Sequence, residues 1–350
     1  MKKQINICIC GGGSLSHVCA GFLASQNNIS VNILTQHPEK WSKSIVVTDL
    51  HDKEYKGDLK TISSNPEEAV KDCHIILLCL PGFAIEDTLL KIKPFVSNTI
   101  VGSIVCSTGF FFNAHTILGD KQKLFGFQRV PFIARTKKYG ESASLLGYKK
   151  QIAIACENID DTEQFRKFVK QVWSTETKLL HSYLEASLTN SNPILHTGRL
   201  YSMWKNWNGE CFDHNILFYE DWTEDASETV IKMDREFMSI IDVLPIEKST
   251  IAPLLEYYES FDAKSLTEKI KSIEAFHGIT SPMLLTAGGW IPDFTSRYFT
   301  EDFPFGLRYI LEIAKNNNIP VPFMTQVYEW GMGCINYQNH ETVNNNYKLQ

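Results

Sequence analysis

The chain has 350 residues, 43% hydrophobic and 21% charged, with a formal net charge of −6. That length suits two domains better than one core, and the acidic balance excludes the basic footprint of a nucleic-acid or anionic-membrane binder, while a few local Arg or Lys still suit an anionic small substrate. Of the nine cysteines, Cys8, Cys10, Cys79, Cys106 and Cys156 lie in apolar runs and none forms a C-x-x-C pair, so they read as small core residues in a reducing compartment, with no metal site and no disulfide framework expected.

Met1-Lys2-Lys3 precedes an apolar stretch that Asn6 interrupts and Gly11-Gly12-Gly13 ends, too short for the core of a signal peptide. No apolar run approaches the ~18 residues of a membrane span, and a cytoplasmic location is expected. Ile5–Cys10 alternates Ile with Asn or Cys and predicts a strand running into a tight turn. His17–Ala24 predicts a buried helix and Ser30–Thr35 a second strand, a β-α-β unit of the size dinucleotide-binding folds use. Asn65-Pro66-Glu67-Glu68 carries a helix start: a capping Asn, Pro at the first position and acids at the positive end of the dipole. The run His74–Leu80, stopped by Pro81-Gly82, fits a parallel strand covered on both faces. Thr99–Cys106 and Gln151–Cys156 read as further strands, and the alternation predicts a doubly wound parallel α/β sheet. Phe165, Phe168, Val169, Val172 and Trp173 recur at helical spacing, as do Val230, Met233, Phe237, Ile240, Ile241 and Leu244. No period-2 strand is read beyond about residue 182. The expected organisation is a Rossmann-type domain over 1–183 and a mainly α-helical domain over 184–350, with the polar stretch from Gln338 frayed at its end.

The turn Gly11-Gly12-Gly13-Ser14-Leu15-Ser16 matches the first two glycines of the dinucleotide fingerprint G-x-G-x-x-G. Gly11 permits the tight turn, Gly13 lets the backbone approach a pyrophosphate, and the helix start at Ser14 and Leu15 supplies N–H donors and positive potential. Ser16 stands at the third glycine position and is small enough for close helix–strand packing. An ordinary strand–helix turn is the alternative, weakened by the turn's place between a strand and a helix at the chain start. About 20 residues on, where an acid would bind the ribose of NAD, stand Thr35, Gln36 and His37, with Lys40 nearby. They suit a 2′-phosphate or are a plain solvated turn, so NAD(P) is expected with NADP slightly favoured. Pro81 lies where this fold brings a loop against the cofactor, and is otherwise strand punctuation.

Two segments of the second half stand out. In Asn190-Ser191-Asn192-Pro193-Ile194-Leu195-His196-Thr197, Asn192 reads as a helix cap with Pro193 at the first position. His196 then shares the inward face with Leu200 and Met203/Trp204, either as a packed core histidine or as an acid/base. Arg297-Tyr298-Phe299-Thr300-Glu301-Asp302-Phe303-Pro304-Phe305-Gly306 crowds charges and aromatics before a helix starting near Pro304. Alone it reads as a helix entry, with acids favouring the dipole and Arg297 in a surface ion pair.

Taken together with the glycine turn, these segments resemble the octopine/nopaline (opine) dehydrogenase family. Asn-Pro-Ile-Leu-His looks like its second-domain histidine motif, and Arg297–Gly306 is similar to its Arg-Tyr-x-Thr-Glu-Asp-x-Pro-x-Gly motif. Both come in the right order, and the resemblance runs to about residue 330. It implies a helical opine-dehydrogenase domain after a Rossmann domain, with the site in the cleft between them. It also implies His196 as acid/base, Asp302 as its carboxylate partner and Arg297 as a ligand of the substrate carboxylate. Arg135 is a second, weaker candidate for that carboxylate, with a surface loop cation as the alternative, and Asn192 is placed with the substrate-binding residues. The departures are Ser16, for the usual small glycine or alanine, and Gln36-His37, where relatives often carry arginine.

The implied reaction is the reductive condensation of an α-keto acid with an amino acid through an imine. Two rivals stand beside it: a ketopantoate reductase or hydroxyacid-type dehydrogenase, whose usual helical-domain lysine has no counterpart motif here, and a catalytically silent nucleotide-binding sensor.

Overall fold

The computed structural model describes residues 4–347, with side chains described to residue 336. Two compact units divide the chain, 1–189 and 190–350.

The first unit opens with β1 (Ile5–Cys10), α1 (Ser14–Ala24) and β2 (Ile29–Leu34). Next come β3 (Ser44–Asp49), β4 (Glu54–Ser63), α2 (Pro66–Val70), β5 (Ile75–Leu78), α3 (Gly82–Ile92), β6 (Ile100–Ser103), α4 (Phe110–Leu118) and β7 (Leu124–Phe127). It closes with β8 (Phe132–Lys138), β9 (Ser142–Tyr148), β10 (Gln151–Glu157), α5 (Thr162–Trp173), β11 (Glu176–Leu179) and α6 (Tyr183–Leu188). Within the sheet, β4-β2-β1-β5-β6-β7 are mutually parallel neighbours. Numbered by position in that core, their order is the 3-2-1-4-5-6 of a Rossmann domain. The alternation in β1 is the reason it sits at the centre: Ile7 and Ile9 enter the core under α1 and α5, while Cys8 and Cys10 enter the core under α2, α3 and α4. Apolar groups on both faces are what a parallel strand between two helical layers requires.

The sheet is wider and more mixed than the sequence reading. Beyond β4 it continues through β3, β9 and β8, and beyond β7 through β10 and β11, with antiparallel pairs at β3–β4, β8–β9 and β7–β10. Of these additions the sequence reading includes β10 alone; the others are masked by polar surface, β8 exposing Arg135, Lys137 and Lys138, as is the core strand β4, which exposes Glu54, Lys56, Asp58 and Lys60 on alternate positions. Arg135, expected in a loop if not at a site, is instead exposed on the edge strand β8.

The second unit comprises α7 (Asn192–Trp204), α8 (Glu224–Ile241), α9 (Leu254–Tyr257), α10 (Ala263–Ser272), β12 (Met283–Thr286), β13 (Gly289–Pro292), α11 (Arg297–Thr300), α12 (Arg308–Asn316) and α13 (Pro322–Tyr347). It is mainly helical, as expected, but β12 and β13 form an antiparallel hairpin in a stretch read as strand-free. The adjacent leucines 284 and 285 are both exposed, which hides the alternation a strand normally shows. The polar tail expected to fray from Gln338 is helical backbone to Tyr347; its side chains lie outside the described residues. Among the described residues no helix is long and apolar enough to cross a membrane.

Candidate functional site

In the first unit, β1 and β5 are the strands at which the order of the parallel core reverses, and ligands of open α/β sheets bind beyond the carboxyl ends of such strands. A cavity of about 470 Å³ lies there, its lining including Gly11, Gly12, Leu34, Leu80 and Pro81. Gly11 has φ +135°, and a Cβ on it would lie 2.6 Å from both the Cys79 carbonyl and the Ser16 hydroxyl, so only glycine fits. Ser16, fully buried at the third fingerprint position, hydrogen-bonds the Cys79 carbonyl at 3.5 Å and so ties α1 to the end of β5. Gly13 differs: it caps α1 with φ −85°, and a Cβ there would meet no atom within 4 Å. No side chain caps this helix, so the first N–H groups, at Ser14 and Leu15, face space that Gly13 leaves clear. The clearance beside Gly13 at a helix start without a side-chain cap fits the pyrophosphate of a dinucleotide.

Thr35, Gln36 and His37 also line the cavity. Thr35 is buried and accepts the His37 N–H through Oγ1, whereas Gln36 is exposed. No carboxylate occupies residues 35–37, but His37 Nδ1 lies 3.4 Å from Glu39 in the next turn. Pro81 is the N-cap residue of α3 and borders the same cavity.

In the second unit, His196 Nδ1 lies 2.9 Å from Asp302 Oδ2, the two side chains being only 12% and 19% exposed. A carboxylate can only accept, so Nδ1 carries the proton and Nε2 the lone pair. That lone pair accepts the Tyr219 hydroxyl at 2.9 Å. Tyr298, Phe218 and Tyr219 ring the imidazole at 4.8, 5.6 and 6.4 Å between centroids. Desolvation holds the Tyr219 phenol well above its usual pKa, so it remains a neutral hydroxyl able to donate.

Residues about 100 positions apart meet here for local reasons. Ser191 precedes α7 as its N-cap residue and Asn192 is already helical, with its N–H satisfied by Asn190 Oδ1. The capping expectation for Asn192 was therefore one residue late. Asn192 stands one turn before His196, on the same helix face. Phe303–Leu307 forms a π turn in which the Leu307 N–H donates to the Asp302 carbonyl at 2.8 Å. Such turns recur at functional sites because they re-aim a side chain within a helix. Gly306 lets this turn approach α7: a Cβ on it would come within 2.8 Å of the Pro193 ring. Phe299 and Phe303, both fully buried and stacked at 5.6 Å, anchor the segment that presents Asp302. Truncating either would cost roughly 3–5 kcal/mol.

Tyr219 was not singled out from the sequence, nor was Arg199, which holds it. Arg199 is 2% exposed and donates to the carbonyls of Phe218 at 3.1 Å and Asp221 at 2.8 Å. Burial pulls its guanidinium down to about 10, still cationic at neutral pH. One helix thus supplies both His196 and the cation bracing the turn that carries Tyr219. Nothing in the spacing of Tyr219 or Arg199 along the sequence announces this contact. Arg297 begins α11 with an exposed guanidinium that has no ion-pair partner among the described residues. Arg135 Nη1 donates to the Ala134 carbonyl at 3.1 Å.

Residues 179–335 match the family model described as NAD/NADP octopine/nopaline dehydrogenase, alpha-helical domain. Over 93% of its length the chain is 28% identical to the tauropine dehydrogenase of Arabella iricolor, covering 90% of that protein. It is 26% identical to the octopine dehydrogenase of Mizuhopecten yessoensis, over 95% of this chain and 90% of the relative. Its fold is that of an octopine dehydrogenase solved with NADH and L-arginine, at a TM-score of 0.84 and 24% identity over 95% of this chain and 90% of the other. A yersinopine dehydrogenase solved with NADP+ shares the fold at a TM-score of 0.72 and 11% identity, over 95% and 91% of the two chains. The resemblance read from the glycine turn and the two second-half motifs therefore holds: the second half matches the octopine/nopaline dehydrogenase helical domain, the relatives align along nearly the whole chain, and the chain is an opine dehydrogenase-like NAD(P)-dependent oxidoreductase.

Proposed function

We propose that His196 is the acid/base of a reductive condensation between an α-keto acid and the amino group of an amino acid. The observation that carries this reading is the histidine with both ring nitrogens engaged, Nδ1 by Asp302 and Nε2 by Tyr219. Addition of the amine to the keto carbon forms a carbinolamine, and loss of water from it forms the imine. In that loss the protonated His196 gives its Nε2 proton to the departing hydroxyl. The Asp302 carboxylate keeps the ring oriented and stabilises the imidazolium without itself transferring a proton. The Tyr219 hydroxyl donates to Nε2 when the ring is neutral and accepts from it when the ring is charged, so Nε2 has a partner in either state.

Arg297 is assigned to a substrate carboxylate, which its planar fork binds through two parallel hydrogen bonds; a free, exposed guanidinium five residues before Asp302 supports that role. Asn192, one turn before His196, is assigned to a substrate polar group. Arg135 is retained as a weaker second carboxylate ligand.

Gly11, Gly13, Ser14, Leu15, Thr35, Gln36 and Pro81 would hold the dinucleotide. When bound, its reduced nicotinamide supplies the hydride that reduces the imine carbon. Because residues 35–37 carry no acid, NADPH is expected to serve at least as well as NADH; a tenfold preference for NADH, about 1.4 kcal/mol, would reject that choice. The partners are small molecules, with a cytoplasmic setting. The decisive test is a matrix of α-keto acids against amino acids, scored by NADH and NADPH absorbance. Oxidation should require both substrates. Oxidation with a keto acid alone would indicate a hydroxyacid-type dehydrogenase, and none under any pairing, despite nucleotide binding, would indicate a sensor.

A further inference from the structure

The β8–β9 hairpin lies outside the six-stranded parallel core, yet β8 and the hairpin tip meet the glycine turn and the start of α1 at three points. The Thr136 N–H donates to the Ser14 hydroxyl at 3.0 Å. The Tyr139 hydroxyl lies 2.5 Å from where a Cβ on Gly12 would be, and Tyr139 borders the cavity beyond β1. The Gly140 N–H donates to His17 Nε2 at 2.7 Å.

His17 is fully buried on α1. Since Nε2 accepts from Gly140, Nδ1 must carry the proton, and it donates to the Gly13 carbonyl at 2.8 Å. The ring is stacked on Trp41 at 4.3 Å and meets the edge of Tyr139 at 5.0 Å. Burial lowers its pKa, which favours the neutral tautomer these two hydrogen bonds demand. One imidazole therefore spans from the carbonyl of the glycine that must face the pyrophosphate to the hairpin tip carrying Tyr139.

We infer that Tyr139 is a wall and hydrogen-bonding residue of the dinucleotide site, and that His17 is the positioning residue that holds the tip, and Tyr139 with it, against the glycine turn. This rests on the reading that the turn binds the cofactor. Its ligand is the reduced dinucleotide, whose phosphate and ribose oxygens are acceptors for a phenolic hydroxyl beside Gly12.

The experiment is a titration of the full chain with NADH and with NADPH, without substrates, followed by nicotinamide fluorescence, with melting temperature measured in parallel. Tyr139→Ala should weaken binding about tenfold and Tyr139→Phe less, because the ring remains. His17→Ala should weaken binding to a similar degree as Tyr139→Ala, and more than it lowers the melting temperature of the nucleotide-saturated protein. His17→Gln, whose amide oxygen can still accept from Gly140, should recover most of the affinity. If His17→Ala does not fold, Tyr139→Ala and His17→Gln carry the test. Gly13→Ala separates failure of the cofactor site from failure of the Tyr139 and His17 roles. Should neither the native chain nor Gly13→Ala show the expected binding and its loss, the cofactor reading fails. Should both behave as expected while the His17 and Tyr139 variants bind like the native chain, this inference is overturned.

Discussion

The glycine turn of the first unit and the histidine site of the second are built from opposite materials. At residues 11–16 the proposed cofactor site would work through backbone N–H groups and the clearance beside Gly13, and side chains matter mainly by being absent or tied away, as Ser14 and Ser16 are. At His196 the working parts are side-chain atoms, each fixed by another side chain: Asp302 on Nδ1, Tyr219 on Nε2, and Arg199 behind the turn carrying Tyr219. A backbone site tolerates changes that keep the volume clear. A side-chain site fails when any single partner is lost, because the remaining group is left buried and unsatisfied.

The largest effect should therefore come from the second site. His196→Ala and Asp302→Asn are each expected to lower kcat by roughly two or more orders of magnitude, with nucleotide affinity unchanged. Because the pair acts as a unit, the double variant should be little worse than the worse single one. Near-native turnover in His196→Ala would remove the acid/base assignment, and strictly additive losses would remove the dyad.

At the first site the comparison predicts a separation of stability from affinity. Gly13→Ala adds a methyl group where no atom lies within 4 Å, so the melting temperature should barely move. Nucleotide affinity should fall by about tenfold or more, since the methyl fills the space the pyrophosphate needs. Gly11→Ala should do the reverse of the first half: its positive φ and contact with the Cys79 carbonyl make the substitution destabilise the fold itself. If both alanines destabilise alike, the turn is structural and the contrast between the two sites collapses.

Arg297→Lys should have a smaller effect, a several-fold rise in KM for the carboxylate substrate at little cost to kcat, because lysine keeps the charge but loses the fork. An esterified substrate should reproduce the change with the native chain. Unchanged kinetics would make Arg297 a bystander of the segment that presents Asp302.

The same contrast explains what could be read before the fold was known. Four strands of the parallel core, β1, β2, β5 and β6, were legible because strands buried on both faces spell themselves out, as Ile5–Cys10 and Ile75–Leu78 do, whereas β4 and β7 were not. The histidine site was legible because its residues sit in two dense segments, Asn192–Thr197 and Arg297–Gly306. Tyr219 and Arg199 were not, since a tyrosine in a turn and an arginine on a helix carry no spacing that announces a contact. The β8–β9 hairpin was hidden by its place near the sheet edge, where Ile133, Arg135, Lys137 and Lys138 face outward and blur the period of two. That Gly306 must be small because Pro193 lies against it is a tertiary fact, invisible in either segment alone.

Burial of an acid in the second unit is not by itself a mark of the site. Asp234, on α8, is only 7% exposed, and its Oδ2 accepts the Leu254 N–H at 2.9 Å. Unlike Asp302 it has no paired cation or histidine among the described residues, and burial pushes its carboxyl up to about 6 from an ordinary 3.8. The folded chain therefore holds this proton more tightly than the unfolded one between those two values, so Asp234's contribution to stability falls as pH rises through that window. Above it, both states are ionised and the folded state carries the cost of a buried charge, at most roughly 3 kcal/mol. Asp234→Asn keeps an oxygen for the Leu254 N–H and removes the charge. It should raise the stability of the chain above pH 6, with the gain shrinking as the pH is lowered toward 4, and leave kcat unchanged. Denaturant melts at several pH values, with turnover measured alongside, check both halves. A loss of activity would make Asp234 part of the site, and a pH-independent change in stability would place the effect in packing instead of ionisation.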